Sequence, residues 1–238
     1  RICREVVSHL NWKKAESDPK AKSEYPLYDS EELLGLVSPD LKTPFDIKEA
    51  IARFVDGSRF EEFKPLFGPT IVTGWAEVHG YPVGIIGNNG AIYPDSAQKA
   101  AHFIQLCNKT NTPIIFLQNV TGFLVGKEFE RDGIVKKGSQ MINAVSNSTV
   151  PHITMILGAS YGAGTYAMSG RAFNNRFTFL WPSAKIAVMG GKQIAGVMSM
   201  VRRARAMRKG EEFDEKQDKL LADAVEKLQD QGSLAVEA

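Results

Sequence analysis

Two short apolar segments, each followed by a glycine-rich segment, constrain the fold more than any other feature of this 238-residue chain. Residues 113–119 lead into Thr121-Gly122-Phe123, and residues 152–157 lead into residues 158–164, which read Gly-Ala-Ser-Tyr-Gly-Ala-Gly. Apolar segments of this length fit buried strands, and segments with a helical spacing of apolar residues follow both. Since strands that alternate with helices pair in parallel, the sequence predicts an α/β fold with a mainly parallel sheet.

The composition divides the chain into three parts. Residues 1–68 combine a polar stretch with short apolar clusters, and we interpret them as a connector with peripheral helices. Residues 69–210 carry the alternating strands and helices and form the body. Residues 211–238 predict a charged amphipathic helix that docks on the body or on a partner. The apolar side of this helix comprises Leu220, Leu221, Ala224, Val225 and Leu228.

The charge, hydropathy and cysteine content argue against several functional classes. The net charge is only +2, and acidic residues directly follow the basic stretch around Arg205, so we expect no nucleic-acid partner. No apolar run approaches the roughly 20 residues that span a bilayer, so we expect no membrane association. Two cysteines, Cys3 and Cys107, cannot form a disulfide framework, which favours a reducing, intracellular compartment.

Side chains that commonly catalyse reactions form no recognisable pattern. The chain has no Walker A loop, no Gly-x-Ser-x-Gly elbow and no Cys/His zinc pattern. Glu128 and Glu130 follow the first glycine-rich segment, and we interpret them as solvated residues at a helix start rather than as an acid and a base. The four histidines show no metal-ligand spacing, so we predict no metal site. They are His9, His79, His102 and His152.

The glycine-rich segments leave two interpretations open. A strand that ends at glycine and continues as a helix presents backbone N–H groups without partners, and these can bind a developing negative charge. If amides at Gly122-Phe123 and Ala163-Gly164 converge, they form an oxyanion hole, in which loss of one donor typically costs about 3 kcal/mol of transition-state stabilisation. Glycine equally serves plain turn geometry. Ligand contact and satisfaction of loop backbone are likewise both open for four amide residues at strand ends. These are Asn88, Asn89, Gln118 and Asn119.

Six motifs stand in a fixed order along the body of the chain. They are Gly84-Ile85-Ile86-Gly87-Asn88-Asn89-Gly90, Ser96-Ala97-Gln98-Lys99, residues 116–126, Ser160-Tyr161-Gly162-Ala163-Gly164, Trp181-Pro182 and Val188-Met189-Gly190-Gly191. In this order they resemble the carboxyltransferase β subunits of biotin-dependent acyl-CoA carboxylases, most closely those of the methylcrotonyl-CoA carboxylase type. The resemblance falls on the C-terminal half of such a subunit. It implies a crotonase-like fold of repeated ββα units, with an active site shared with the N-terminal half of another subunit.

The resemblance also implies a mechanism that needs no side-chain base. In this family, carboxybiotin on a carrier domain releases carbon dioxide, and its ureido anion takes a proton from the acyl-CoA, whose enolate attacks the carbon dioxide. The implied oxyanion hole for the ureido oxygen consists of Gly122, Phe123, Ala163 and Gly164. The implied biotin contacts are Val120, Thr121, Leu124, Tyr161 and Gly162.

The resemblance names partners and a location as well. It implies a biotin carboxylase and biotin carrier subunit, the N-terminal carboxyltransferase half, and further β subunits in a homo-oligomer. The implied location is the cytoplasm of a bacterium or the mitochondrial matrix of a eukaryote.

Departures from related subgroups indicate the acyl-CoA. The propionyl-CoA and acetyl-CoA type reads Asp-Thr-Pro-Gly-Phe where residues 119–123 read Asn-Val-Thr-Gly-Phe, and it has an acidic residue at the position of Tyr166. We therefore expect 3-methylcrotonyl-CoA as the substrate, with geranyl-CoA left open. Two alternatives remain for the function: the carboxyltransferase of a biotin-dependent decarboxylase, and a noncatalytic crotonase-like assembly module.

Overall fold

The computed structural model describes residues 19, 22–37, 43, 45–210 and 212–234. Residues 1–18 of the predicted connector, which include Cys3 and His9, lie outside the described residues. Within the described part, seven strands form one sheet. The strands are β1 (Glu61–Glu62), β2 (Ile71–Val78), β3 (Tyr81–Asn88), β4 (Ile114–Val120), β5 (His152–Tyr161), β6 (Phe177–Leu180) and β7 (Lys185–Ala187). The α-helices are α1 (Leu33–Leu36), α2 (Ile47–Ala52), α3 (Pro94–Thr110), α4 (Lys127–Arg131), α5 (Ile134–Ser146), α6 (Gly162–Ala167), α7 (Gly191–Lys209) and α8 (Glu215–Gly232).

The sheet is mainly parallel, which confirms the predicted fold class. Its strands lie in chain order from β1 to β6, and β7 pairs with the end of β5 beyond the β6 contact. The β1–β2 and β2–β3 pairs are antiparallel, whereas β3, β4, β5 and β6 run parallel to one another. In the described part of the chain, the order of two strands and one helix occurs twice, in β2, β3 and α3 and in β6, β7 and α7. Between these units, β4 and β5 are each followed directly by a helix, because parallel neighbours need a crossover rather than a hairpin.

Both faces of the sheet are covered by apolar side chains. On one face, α3 and α5 pack over β3 and β4, and the apolar side of α3 is buried there. This side includes Ala97, Ala100, Ala101, Ile104 and Cys107. On the other face, α2 contributes Ile47, Ala50 and Ile51 to a second apolar cluster. The helix of the predicted connector is therefore part of the core that supports the sheet.

The last two helices, α7 and α8, pack against each other as an antiparallel pair. Ion pairs join them, and α8 contributes no buried apolar residue to the contact. Arg202 Nε lies 2.6 Å from Asp218 Oδ1, and Arg203 lies 3.4 Å from Glu215. No residue of α8 is buried, and Leu220 and Leu228 are 71% and 72% exposed. The predicted apolar side of α8 is thus not buried against the described body, because the helix packs on α7 through its other residues. Docking of these leucines on a partner stays a prediction.

The C-terminal end of α8 returns to the sheet. The Ile186 N–H donates to the Ser233 carbonyl oxygen at 2.8 Å, and Lys185 Nζ lies 3.7 Å from Asp230 Oδ2. These contacts connect α8 to β7, which pairs with the end of β5. None of the helices in the described part of the chain combines the length and apolarity needed to cross a membrane.

Candidate functional site

The two glycine-rich segments leave the sheet at the same edge. The strands β4 and β5 are parallel neighbours, and Val120 at the end of β4 pairs with Ser160 near the end of β5. Because the carboxyl ends of parallel strands meet at one edge of the sheet, the chain turns away from β4 and β5 at adjacent points. α/β proteins commonly bind ligands at this edge. The sequence pattern predicts that both glycine-rich segments lie there, because each follows a strand.

We refer to residues 121–124 as the first turn and to residues 162–164 as the second turn. The second turn begins later than the sequence suggests. We predict a break at Gly158, but β5 continues to Tyr161 and the turn starts at Gly162. The register between β4 and β5 shifts between Gln118 and Val120, and Asn119 Oδ1 accepts the Ala159 N–H at 3.1 Å across this shift. A Cβ on Gly158 would overlap the Asn119 side chain. Gly158 is therefore needed for space within a strand, and the prediction of a break there is wrong.

The two turns touch each other at their glycines. A Cβ on Gly164 would lie 2.7 Å from Val120 Cγ2 and 3.2 Å from Gly122 Cα. Gly122 and Gly162 have φ angles of 134° and 53°, in the region that favours glycine. Residues 120–122 and 162–164 are thus adjacent in space, and the absence of a side chain at Gly164 permits the close approach.

Backbone donors lie on both turns. The Gly122 carbonyl accepts the Ile92 N–H and the Leu124 N–H donates to the Ile92 carbonyl, each at 3.1 Å. Between them, the Phe123 N–H has no acceptor among the residues that the structure describes. On the second turn, Tyr161 provides no side-chain cap for α6, so the first N–H groups of this helix have no partner within it. Ala163 and Gly164 are among the first residues of α6 and carry these N–H groups.

A cavity of about 280 Å³ lies beside the two turns. Phe123 and Leu124 line it from the first turn, and Ala163 lines it from the second. Its far wall is α5, which contributes Ile134, Val135, Gly138, Ser139 and Ile142. The Phe123 ring packs on α5 at Gly138, where a Cβ would come within 2.9 Å of the ring. The arrangement combines a mostly apolar cavity with backbone donors at one end.

Three of the nine predicted site residues line this cavity: Phe123, Leu124 and Ala163. The others surround it in different ways. Gly122, Gly162 and Gly164 shape the two turns, and Thr121 is exposed. Val120 is fully buried beneath Gly164.

Tyr161 is buried and does not line the cavity. Its ring comes within 3.5 Å of a Cβ placed on Gly190, at the start of α7. Burial raises the pKa of its phenol, and the nearby charge of Asp230 raises this pKa further. The side chain therefore supports the turn from the side of β7, α7 and α8.

A buried polar network, which the sequence pattern does not predict, lies beneath the turns. Ser160 Oγ donates to Gln118 Oε1 at 2.6 Å, and Gln118 Nε2 donates to the Met168 carbonyl at 2.6 Å. Thr165 Oγ1 lies 2.9 Å from Ser160 Oγ, so the network joins β4, β5 and α6. Gln118 and Ser160 are both fully buried. The available signal was the presence of two polar residues inside otherwise apolar strands.

The amide residues at the strand ends mainly satisfy backbone groups. Asn88 Nδ2 donates to the Asn119 carbonyl at 2.6 Å, and Asn88 Oδ1 accepts the Asn119 N–H at 2.8 Å. Asn89 Oδ1 accepts the Ile47 N–H at 2.8 Å and so holds the start of α2. Of the two open interpretations, the structure favours backbone satisfaction for these amides and for Gln118.

Glu130 departs from its predicted surroundings. It is exposed, as expected, but it also lines the cavity together with Phe123 and Ala163. Glu128 is exposed on the same short helix and is not part of the lining. Elsewhere, no group of three or more His, Cys, Asp or Glu residues in the described part of the chain is arranged to hold a metal ion.

Comparison with known proteins identifies the family. The family model named carboxyl transferase domain matches residues 1–235. A probable biotin-dependent acyl-coenzyme A carboxylase beta2 subunit of Mycobacterium tuberculosis is 56% identical over 227 residues, which cover 95% of this chain and 43% of that protein. The mitochondrial methylcrotonoyl-CoA carboxylase beta chain of Dictyostelium discoideum is 48% identical over 234 residues, which cover 98% of this chain and 40% of that protein.

A solved structure agrees with these sequence matches. The beta subunit of P. aeruginosa geranyl-CoA carboxylase superposes with a TM-score of 0.85 at 45% identity, covering 100% of this chain and 44% of that chain. The chain thus spans less than half the length of the relatives that it matches. The crotonase-like fold and the family resemblance are both confirmed: this chain belongs to the carboxyl transferase domain family.

Proposed function

We propose that this chain is the biotin-binding half of a carboxyltransferase that moves a carboxyl group from carboxybiotin to an acyl-CoA. The observation that carries the proposal is the convergence of the two turns, with Gly164 packed against Gly122 and a shared cavity beside them. The two relatives and the structural neighbour described above are all named as acyl-CoA carboxylase subunits. Neither the decarboxylase nor the assembly module gains support from these names.

The cavity suits the ring system of biotin. Its volume of about 280 Å³ is near the lower end of ligand pockets, which begin at roughly 300 Å³. Apolar walls from α5 and Leu124 suit the sulfur-containing ring and the aliphatic chain. The free Phe123 N–H and the uncapped start of α6 supply donors for a carbonyl oxygen, which is the acceptor of the ureido group.

Each residue has a defined role in this proposal. Bound carboxybiotin supplies the carboxyl group as carbon dioxide together with the base that takes the acyl-CoA proton. The N–H groups of Phe123 and of Ala163 or Gly164 donate to the ureido oxygen and stabilise the negative charge that develops there. Gly122 and Gly162 hold the turns in conformations that aim these donors. The α5 wall and Leu124 keep water away from the site, which strengthens the electrostatic interactions within it.

The substrate in this proposal is 3-methylcrotonyl-CoA. The support is the 48% identity to a methylcrotonoyl-CoA carboxylase beta chain. Geranyl-CoA is the second candidate, because the geranyl-CoA carboxylase beta subunit covers the whole chain at 45% identity. The ratio of kcat/KM for these two thioesters in the assembled enzyme distinguishes the candidates.

The proposal includes partners that complete the active site. The complementary N-terminal carboxyltransferase half binds most of the acyl-CoA, and further β subunits build a homo-oligomer. A biotin carboxylase and biotin carrier subunit delivers carboxybiotin. We place this assembly in a bacterial cytoplasm or a mitochondrial matrix; fractionation of the source cells tests that location.

The test of the oxyanion hole enlarges Ala163. In the complete carboxyltransferase assembly that contains this chain, Ala163→Leu should reduce carboxyl transfer to 3-methylcrotonyl-CoA by at least about 100-fold, the usual effect of losing one such donor. Ala204→Leu is the matched control, because Ala204 is an exposed alanine of α7 that does not line the cavity. Incorporation of labelled bicarbonate measures the transfer. Unchanged turnover in Ala163→Leu would contradict the assignment of the oxyanion hole to this turn.

Titration with free biotin separates the enzyme from an assembly module. We expect saturable binding by the same assembly. A noncatalytic module would show none even with the complementary half present.

A further inference from the structure

Glu130 occupies an unusual position for a surface carboxylate. Among the described residues that line the cavity beside the two turns, it alone is ionisable. Its own N–H donates to the Gly126 carbonyl at 2.9 Å, which fixes it within α4. The preceding residue, Phe129, packs edge-on against Tyr93 with ring centroids 5.7 Å apart and anchors the same short helix. Glu130 is thus held in the lining of a mostly apolar cavity.

The Glu130 carboxylate has no binding partner within the described part of the chain. Neither an ion pair nor a hydrogen bond connects it to any residue that the structure describes. The other polar side chain of the lining is Ser139, whose hydroxyl already donates to the Lys136 carbonyl at 2.8 Å within α5. An acceptor that is free and faces a ligand cavity is available for a donor on the ligand.

A ureido group presents complementary chemistry on its two sides. Its oxygen accepts hydrogen bonds, and the N–H groups of Phe123 and of the start of α6 are suited to that oxygen. Its ring nitrogens donate, and they need an acceptor. On the first turn, the Gly122 carbonyl already accepts the Ile92 N–H.

We propose that the Glu130 carboxylate accepts a hydrogen bond from a ureido N–H of biotin and so selects this cofactor by its donor side. The inference rests on the proposed function, since it presumes that the cavity holds biotin. A carboxylate acceptor makes a charge-assisted hydrogen bond, which is roughly twice as strong as a neutral one. Glu130 is therefore a determinant of biotin affinity, distinct from the backbone donors that stabilise negative charge.

The experiment measures binding of free biotin by isothermal titration calorimetry, in the complete carboxyltransferase assembly. Glu130→Ala should raise the Kd by about 10-fold, the lower end for hydrogen bonds to charged groups, and Glu130→Gln should recover part of the loss. Glu128→Ala is the matched control: it lies on the same helix, is equally unpaired, and does not line the cavity. We expect its Kd to change by less than about 2-fold, as for a surface charge outside the site.

A modified ligand gives a second readout that does not depend on the variants folding well. Biotin methylated at the ureido nitrogen that remains free during carboxylation should bind the unmodified assembly about 10-fold more weakly than biotin, because it lacks the donor. In Glu130→Ala the two ligands should bind alike. Equal Kd values for the two ligands in the unmodified assembly, or an unchanged biotin Kd in Glu130→Ala, would overturn the role of Glu130. Either result leaves the proposed function standing, whereas absence of saturable biotin binding to the unmodified assembly would overturn both.

Discussion

The two glycine turns differ in what their glycines are for. Among the described residues, none beyond its chain neighbours comes within 4 Å of a Cβ placed on Gly122, so the first turn needs glycine only for its φ angle of 134°. In the second turn, a Cβ on Gly162 would lie 2.9 Å from the Val188 carbonyl oxygen, and one on Gly164 would press on Val120 and Gly122. The first turn is open and the second is wedged between its neighbours. Similar sequence patterns thus contain glycine for two different physical reasons: the first turn needs its backbone conformation, and the second also needs its lack of a side chain.

Filling the wedged turn should have the largest effect. Gly164→Val forces a side chain into contact with Val120 and the first turn, which should lower the free energy of unfolding by about 3 kcal/mol. It should also reduce carboxyl transfer by about 100-fold, because the donors of the two turns are pushed apart. Urea denaturation and the labelled bicarbonate assay measure the two losses. Gly196→Ala is the control, since Gly196 lies in α7 with nothing described within 4 Å of a Cβ; wild-type behaviour of Gly164→Val would show that the turns do not touch.

Acid should weaken the strand that carries the second turn. His152, at the start of β5, is buried against Phe116 and lies within 2.9 Å of the hydroxyls of Ser148 and Ser169. Burial lowers its pKa from 6.5 to about 4, so the unfolded chain binds a proton more readily than the folded one. This contribution to stability is complete above the unfolded pKa of 6.5 and is lost as the pH falls towards 4, by about 2 kcal/mol between pH 7 and pH 5.

Denaturation curves at pH 7 and pH 5 measure this loss. His152→Gln should flatten the pH dependence by the same amount. β4 contains no ionisable side chain, so only β5 should respond to acid. An equal pH dependence of stability in the wild-type chain and in His152→Gln would contradict this difference between the two strands.

A smaller effect should follow from cutting the link between the strands. Ser160→Ala leaves Gln118 Oε1 buried without its Ser160 donor, which should cost about 1.5 kcal/mol of unfolding free energy. Ser139→Ala is the control, because its exposed hydroxyl bonds only to its own helix. Thermal and urea unfolding of both variants measure the difference. Equal stability of the two would mean that the network does not hold the turns together.

The open turn should tolerate substitution best. Gly122→Ala has room for its Cβ but must hold a φ of 134°, which should cost about 1 kcal/mol of stability. We expect carboxyl transfer to fall by only about 10-fold, since relaxing the strain tilts the Phe123 N–H without bringing a side chain into the cavity. Kinetics and urea denaturation on the same preparation test this. A loss as large as that of Gly164→Val would erase the difference between the two turns.

Local patterns predict the parts of this molecule that depend on short stretches of chain. The apolar run of residues 113–119 predicts β4 to within one residue, and the helical spacing from Ala97 to Cys107 predicts the buried side of α3. The break that the pattern predicts at Gly158 is wrong, because glycine occurs both at breaks and in crowded strands, and only the Asn119 side chain on the neighbouring strand distinguishes the two. The pattern of α8 predicts docking on the body or on a partner and does not decide between them, because amphipathicity indicates which side of a helix is apolar but not what covers it.

In the candidate site, too, local patterns predict some residues and tertiary contacts reveal the others. Phe123, Leu124 and Ala163 were predicted and line the cavity. Glu130 was interpreted as a solvated residue, because no local pattern reveals that α4 borders a cavity completed by α5 and the second turn. The Gln118–Ser160 pair was missed for a similar reason: its two members are 42 positions apart in the chain and meet only when β4 and β5 pair.

The sequence by itself determined the alternation of strands and helices, the two glycine turns and the family, because hydrophobic period, glycine content and motif order are properties of consecutive residues. The tertiary structure alone decided that the turns touch at Gly164 and Gly122, that Glu130 lines the cavity, and that Val120 and Tyr161 support the turns from behind. These features depend on strand register and helix packing. Both are set by contacts between residues far apart in the chain, which no local pattern records.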